Sequence, residues 1–184
     1  DVYQGSPTPV TAFMAAVTKV AAFGAAIRIY YFAVGGLVWS WRPILIAISI
    51  ATMAIGTVIA IAQKDVKRVL AYSAIAHSGF LLTGIIALSK DGLNATLIYL
   101  FTYGFTTIGT FAIVTLVRDS GGEVSDLNRW VGLGKRSPLV AGTFTLFLLG
   151  LAGIPLTSGF VGKFAIFTAA YKSGNISVVV AGVL

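Results

Sequence analysis

The chain has 184 residues, 57% hydrophobic and only 10% charged, with a mean hydropathy of +0.93; an ordinary soluble domain is about 25% charged. That composition points to an integral membrane protein and argues against a soluble enzyme, a disordered chain or a disulfide scaffold. With no cysteine and one histidine, this chain alone cannot build an Fe–S cluster or a cysteine zinc site. The net charge of +7 comes from 13 basic and 6 acidic residues. The basic residues sit in separate loops and form no stripe, so no nucleic-acid partner is expected.

A transmembrane helix needs about 20 mostly apolar residues. The spans predicted in chain order are about 9–32, 43–62, 66–88, 93–117 and 138–171, with a sixth beginning near 176. The fold class is therefore all-α, a polytopic transmembrane bundle forming one domain over 1–184. Thr8-Pro9, Arg42-Pro43 and Ser137-Pro138 mark helix starts, where a proline's missing N–H is harmless. Thr8 and Ser137 are candidate N-caps. Trp39, Trp41 and Trp130 lie at span ends, where amphipathic rings favour the headgroup layer.

The loops set an orientation. One side holds Lys64, Lys67, Arg68, Arg118, Arg129, Lys135 and Arg136; the other holds Arg28, Arg42, Lys90 and Lys172. Seven against four puts the first side in the cytoplasm.

The fifth span is too long for a simple crossing: a helix over 138–171 would run ~50 Å through a ~30 Å hydrocarbon core. Inside it lies GIPLTSGFVG, residues 153–162, with Pro155 flanked by Gly153 and Gly159. The expectation is a helix broken near mid-membrane, as happens where backbone lines a cavity or is buried in protein. A simple proline kink, or one long tilted helix, is the plainer alternative.

Three ionisable groups fall inside spans. Lys19 lies near the middle of the first, where a lysine costs roughly 2.5–3.5 kcal/mol on insertion scales. No carboxylate of the fragment sits at that depth: Asp65, Asp91, Asp119, Glu123 and Asp126 lie in loops or at span ends. Lys19 is thus a proton-relay candidate, or a lysine paired to an acid outside the fragment. Lys163 stands eight residues past Pro155, as a second relay group or a lysine snorkelling to the exterior interface. His77 suits a proton carrier or a plain interhelical hydrogen bond. Tyr72, Ser73, Thr102, Tyr103, Thr106 and Thr107 fit a water chain beside these groups or interhelical glue. An ordinary lysine, with a pKa of about 10.4, keeps its proton at pH 7. Desolvation and a neighbouring positive charge lower that value by up to ~3–5 units, which is what lets a lysine switch between loaded and empty.

The motifs resemble a known family. DVYQGSPTPVTAF (1–13) followed by Lys19 resembles the start of the eighth helix of antiporter-like subunits. DVKRVLAYSAIAHSGF (65–80) resembles their tenth, and GLAGIPLTSGFVGKF (150–164) their broken twelfth. These subunits belong to proton-pumping NADH:quinone oxidoreductase, the respiratory complex I type, and to related multisubunit cation/proton antiporters. The resemblance covers the whole fragment and implies a subunit of roughly fourteen helices, of which this is about the eighth to the start of the thirteenth. The chain opens at Asp1 without Met or a signal-peptide pattern and stops inside VVVAGVL, so a piece of a longer subunit is expected. The stretch YLFTYGFTTIGTF (99–111) lacks the His and Lys that the L-type and M-type subunits carry on the eleventh helix. M-type subunits also have Glu where Lys163 stands, and L-type subunits have His in place of Lys19. The pattern resembles the N-type class (subunit 2). By that resemblance Lys19 matches the central relay lysine and Lys163 the exit-side lysine; the family's Lys on the seventh helix and Glu on the fifth would precede Asp1.

The resemblance implies a subunit of a proton-translocating enzyme with no catalytic chemistry of its own. No cofactor or metal is expected on this chain: NADH, FMN, Fe–S clusters and quinone would belong to partner subunits. The expected partners are the other membrane subunits, the peripheral redox arm and the lipid bilayer. The expected location is a bacterial plasma membrane, with the mitochondrial inner or thylakoid membrane as alternatives. A cation/proton antiporter without redox partners and a non-conducting scaffold are the rival readings.

Overall fold

In hydrocarbon every backbone amide must find its partner within its own segment, so long apolar runs fold as helices. A computed structural model describes residues 2–119 and 122–183. Asp1, which opens the first motif, and Leu184, at the end of the sixth span, lie outside the described residues. In chain order the elements are α1 (Val2–Gly5), α2 (Thr8–Arg28), α3 (Val38–Ile61), α4 (Val66–Ile86), α5 (Lys90–Leu116), β1 (Arg118–Asp119), β2 (Gly122–Glu123), α6 (Leu133–Arg136), α7 (Pro138–Ala152), α8 (Ser158–Lys172) and α9 (Ile176–Val183). A π-helical turn, Ile29–Ala33, prolongs α2, and a 3-10 turn, Gly35–Leu37, leads into α3. Among the described residues, four segments are long and apolar enough to cross a membrane: Thr8–Ala33, Gly35–Ile61, Val66–Ile86 and Lys90–Leu116. Helices α7 and α8 have 15 residues each, about 22 Å apiece.

Several local expectations are corrected. Pro7, not Thr8, holds the cap position of α2, and Thr8 donates instead to Glu123 Oε2 across 2.5 Å. Ser137 sits at the cap of α7 without a side-chain cap bond. Helix α3 starts at Val38, so Pro43 lies inside it. The Trp41 indole donates to the Val34 carbonyl at 2.9 Å and packs on Tyr30, ring centroids 4.8 Å apart. Those contacts tie the first turn of α3 to the segment before it, two residues ahead of its proline.

Among the described residues the all-α class holds apart from one small two-stranded pairing. β1 and β2 pair antiparallel in the loop after α5, and the loop then clips onto the start of α4. Val66 N donates to Ser125 O at 2.7 Å, and Leu127 N to Lys64 O at 2.9 Å. Asp65 caps α4 by accepting from Arg68 N.

Packing divides the molecule into two apolar regions. One gathers Phe23 and Ile27 of α2, Leu81, Ile85 and Ile86 of α4, and Ala95, Tyr99 and Leu100 of α5, with Ile166 and Val178. The other gathers Ala15 of α2, Val66 and Leu70 of α4, and Phe111 and Val114 of α5, with Val117, Val124 and Trp130. Lys19, His77 and Tyr103 fall between the two regions on all three helices.

Candidate functional site

The site grows from that intermediate level. Lys19, half-buried on α2, donates to the Ala74 carbonyl of α4 and, at 3.1 Å, to the Tyr103 hydroxyl of α5. Its ammonium also lies 4.6 Å from the centroid of the Tyr103 ring, a cation–π distance. Among the described residues no carboxylate is one of its partners. On its other side Lys19 lines a cavity of about 390 Å³ with Tyr3, Gln4, Arg68 and Tyr72. Tyr72 therefore belongs to the cavity beside Lys19 and not to the inner chain of groups.

That inner chain runs through aromatic rings. His77, 4% exposed, has Nδ1 at 2.5 Å from the Tyr99 hydroxyl, and its ring packs 4.9 Å from that of Tyr103. Tyr99 and Tyr103, one turn apart on α5, present both phenols to the same imidazole. Two small cavities of about 10 Å³ each border His77 and Tyr103. One is lined by Ser73, Thr107 and Thr110, the other by Tyr99, Thr102, Thr106, Gly150, Leu151 and Gly159. A polar void of ~10–15 Å³ is the least that admits one water. Thr102 and Thr106 bond back to carbonyls of their own helix. Thr107 Oγ1 is buried beside Tyr103 in the first of these cavities.

Lys163 is placed by the interruption of the fifth span, which occupies Gly153–Thr157. Gly153 takes φ +80° and Leu156 φ +80°. Gly153 N donates to Gly150 O at 3.2 Å and Ile154 N to Leu149 O at 3.2 Å, the Schellman closure of a helix end. Helix α8 then starts from Thr157, whose hydroxyl oxygen accepts from Phe160 N at 3.3 Å. A helix end leaves carbonyls without partners. Two of them, Leu151 O and Ala152 O, receive Lys163 Nζ at 3.0 and 2.9 Å. A cation at a helix carboxyl end also meets the negative pole of the dipole. The ammonium lies 4.6 Å from the Phe80 ring centroid, and Phe80 packs edge-on to His77 at 5.9 Å. Gly159, read as part of the interruption, lies in the first turn of α8. An added Cβ there would meet Gly150 O at 1.8 Å, so only glycine lets the half-helices come this close.

Lys19, His77, Tyr103 and Lys163 are thus brought together around one set of contacts. Sequence reasoning missed Tyr99, Phe80 and the Thr157 cap. The i, i+4 spacing of Tyr99 and Tyr103, and the i, i+3 spacing of His77 and Phe80, were the available signals. Among the described residues no group of three or more His, Asp or Glu side chains is placed to hold a metal ion.

The charged groups at the basic end are arranged differently. Lys67, 5% exposed, donates to Glu123 Oε2 at 2.9 Å and to Ser6 O at 3.1 Å. Thr8 donates to the same carboxylate oxygen. The Thr8 hydroxyl first, and Lys67 as well, hold the Glu123 carboxyl below the usual glutamate range, against burial, which pushes it up. Asp65 accepts from Gln4 Nε2 at 3.2 Å, and Arg129 pairs with Asp119.

Comparison with known proteins adds to this geometry. A family described as NADH:quinone oxidoreductase/Mrp antiporter, TM, matches residues 1–184. The NADH-quinone oxidoreductase subunit N of Rhodococcus opacus strain B4 is 60% identical over 184 residues, all of this chain and 34% of that protein. NADH-quinone oxidoreductase subunit N 3 of Streptomyces griseus is 60% identical over the same length, 33% of its own. Among solved structures, a chain of respiratory complex I from Thermus thermophilus with bound aureothin superposes with a TM-score of 0.83 at 35% identity, covering 99% of this chain and 39% of that one. A chain of the Mrp complex from Dietzia sp. DQ12-45-1b does so with a TM-score of 0.83 at 28% identity, covering 96% and 33%. The chain spans about a third of the length of the curated relatives it matches.

Proposed function

The chain belongs to the NADH:quinone oxidoreductase/Mrp antiporter transmembrane family, and from that footing we propose that it forms part of an N-type, antiporter-like proton-translocating subunit. Protons move at mid-membrane through a relay of lysines, hydroxyls and water. Electron transfer from NADH to quinone, through FMN and Fe–S clusters on other subunits, drives them. The subunit sits in a bacterial plasma membrane with the other membrane subunits and the peripheral arm, and performs no redox chemistry itself.

One observation carries the proposal. Lys19 and Lys163 are both half-buried, both hydrogen-bonded to main-chain carbonyls and free of carboxylate partners among the described residues. A lysine locked to a carboxylate holds its proton; one held by carbonyls and a phenol can release it. From Lys19 the hydrogen-bonded path enters the Tyr103 hydroxyl, and the His77–Tyr99 pair lies directly against that ring. The second small cavity extends from His77 to Leu151, whose carbonyl receives Lys163. Two ammonium groups in a low-dielectric setting repel, so loading one lysine favours emptying the other.

The Mrp superposition supports a second reading, a cation/proton antiporter subunit without redox partners. Co-purification with flavin and Fe–S subunits separates the two. The relay itself is tested by proton uptake in vesicles carrying the assembled complex. Lys163→Ala should remove most pumping, whereas Lys172→Ala should change little, since that lysine pairs with Asp91 at 3.4 Å with both side chains 65% exposed. Equal damage from both would mean that surface charge explains the effect.

A further inference from the structure

A cavity of about 650 Å³ at the basic end of the chain has no role in the relay. It opens where α5 ends and α7 begins, and Arg118, Arg129, Arg136, Asp119, Leu116 and Val131 line it. Three guanidiniums face one carboxylate. Arg129 pairs with Asp119. Arg118 Nε donates to Thr115 O at 3.0 Å, and Arg136 Nη2 donates to Arg129 O at 3.0 Å and Val131 O at 2.9 Å. Bonds to carbonyls fix a guanidinium in place without neutralising it, and each guanidinium has five donors. The terminal nitrogens of Arg118 make no hydrogen bond among the described residues.

The cavity is also amphiphilic. Of its lining residues Leu116 is 63% exposed and Val131 76%; Leu139, next to the lining residue Val140, is 85% exposed. Trp130 forms a fixed support nearby: its indole donates to Val124 O at 2.9 Å, and its ring packs 4.9 Å from Phe144. Helix α7, 15 residues long, starts at the rim without a side-chain cap, so its positive end faces the same space. The surrounding loops carry the chain's excess of basic residues, which places this end against the anionic cytoplasmic leaflet.

We propose that this cavity binds the headgroup phosphate of an anionic phospholipid. Arg118 offers its two terminal nitrogens as a bidentate fork to the phosphate, Arg129 and Arg136 add single charge-assisted hydrogen bonds from the donors they have left, and the acyl chains lie along Leu116 and Val131 towards the neighbouring Leu139. Free phosphate shares the headgroup chemistry but gains nothing from the exposed leucines.

The test is native mass spectrometry of the detergent-purified complex, counting lipids retained on the full-length subunit after addition of phosphatidylglycerol, phosphatidylcholine or inorganic phosphate. The combined variant R118Q/R129Q/R136Q should lose one phosphatidylglycerol site, binding it on the order of a hundredfold more weakly. Arg118→Gln alone, an exposed substitution that leaves the loop's other bonds intact, should weaken it about fivefold. Lys135→Gln, outside the cavity lining, should leave it unchanged. Undiminished phosphatidylglycerol retention in Arg118→Gln would overturn the proposal. So would equal retention of phosphatidylcholine, or displacement of the lipid by millimolar inorganic phosphate, which would mark a site for the free anion.

Discussion

Lys67 and Lys19 sit on neighbouring helices and are both withdrawn from the aqueous surface, yet their surroundings differ in kind. Lys67 meets the carboxylate of Glu123, which is also bonded by Thr8. Lys19 meets a main-chain carbonyl and a phenol, and Lys163 meets two carbonyls at a broken helix end. Around Lys67 the opposite charges are matched, and what they achieve is the docking of the 118–130 loop onto α2 and α4. Among the described residues, Lys19 and Lys163 are held by carbonyls, a phenol and aromatic rings, with no carboxylate. On the proposed relay, a buried lysine that docks a loop and a buried lysine that carries protons differ in partner, not in depth.

The greatest effect should come from breaking the frame that positions Lys163. Gly159→Ala puts a methyl group into Gly150 O. The half-helices must separate, costing about 3 kcal/mol, at the upper end of overpacking penalties. Thermal unfolding of the purified complex, followed at this subunit by cross-linking, should shift downward accordingly; an unchanged midpoint would mean that the close approach does not exist.

Next is the contrast itself. Lys67→Ala leaves Glu123 and the Ser6 carbonyl without their cation and should destabilise the subunit by about 2 kcal/mol. Lys19→Ala removes a cation that has no counter-charge among the described residues and should leave assembly intact while abolishing pumping. Assembly yield and proton uptake, measured on both variants, should rank them in opposite orders.

The smallest effect is one of pH. Glu123 is held below its ordinary range in the folded chain. Its contribution is therefore complete above the unfolded value of about 4.3 and is lost as pH falls through the lower folded value. Pepsin cleavage within 118–130 should rise over that acid window in the parent chain and show no such step in Glu123→Gln.

The helices themselves were legible because hydrophobic run length and proline placement are local properties. So was a break in the fifth span, since Pro155 between glycines inside an overlong run marks the place, although a kink or a tilted helix fitted the same residues. The extent of the gap was less legible. It closes by Thr157, since the threonine hydroxyl caps α8 at once, and Gly159 serves close packing instead. Lys19, Lys163 and His77 stood out as ionisable groups in apolar runs. Their mutual arrangement did not, because the contacts of His77 with Tyr99 and of Lys163 with Leu151 depend on how α4, α5 and α8 pack. Thr8 shows the same limit: its sequence context suits a cap, and only the folded loop brings Glu123 to it.

On the proposed relay, Lys19 must lose and regain its proton. Lys19→Arg keeps the positive charge and the hydrogen-bonding reach to Ala74 and Tyr103, but a guanidinium does not deprotonate in a protein. Proton uptake per NADH oxidised, measured in vesicles with the assembled Lys19→Arg complex, should fall to a small fraction of that of the parent complex although the charge is retained. Normal uptake with arginine at position 19 would contradict the relay directly and leave Lys19 as a structural cation.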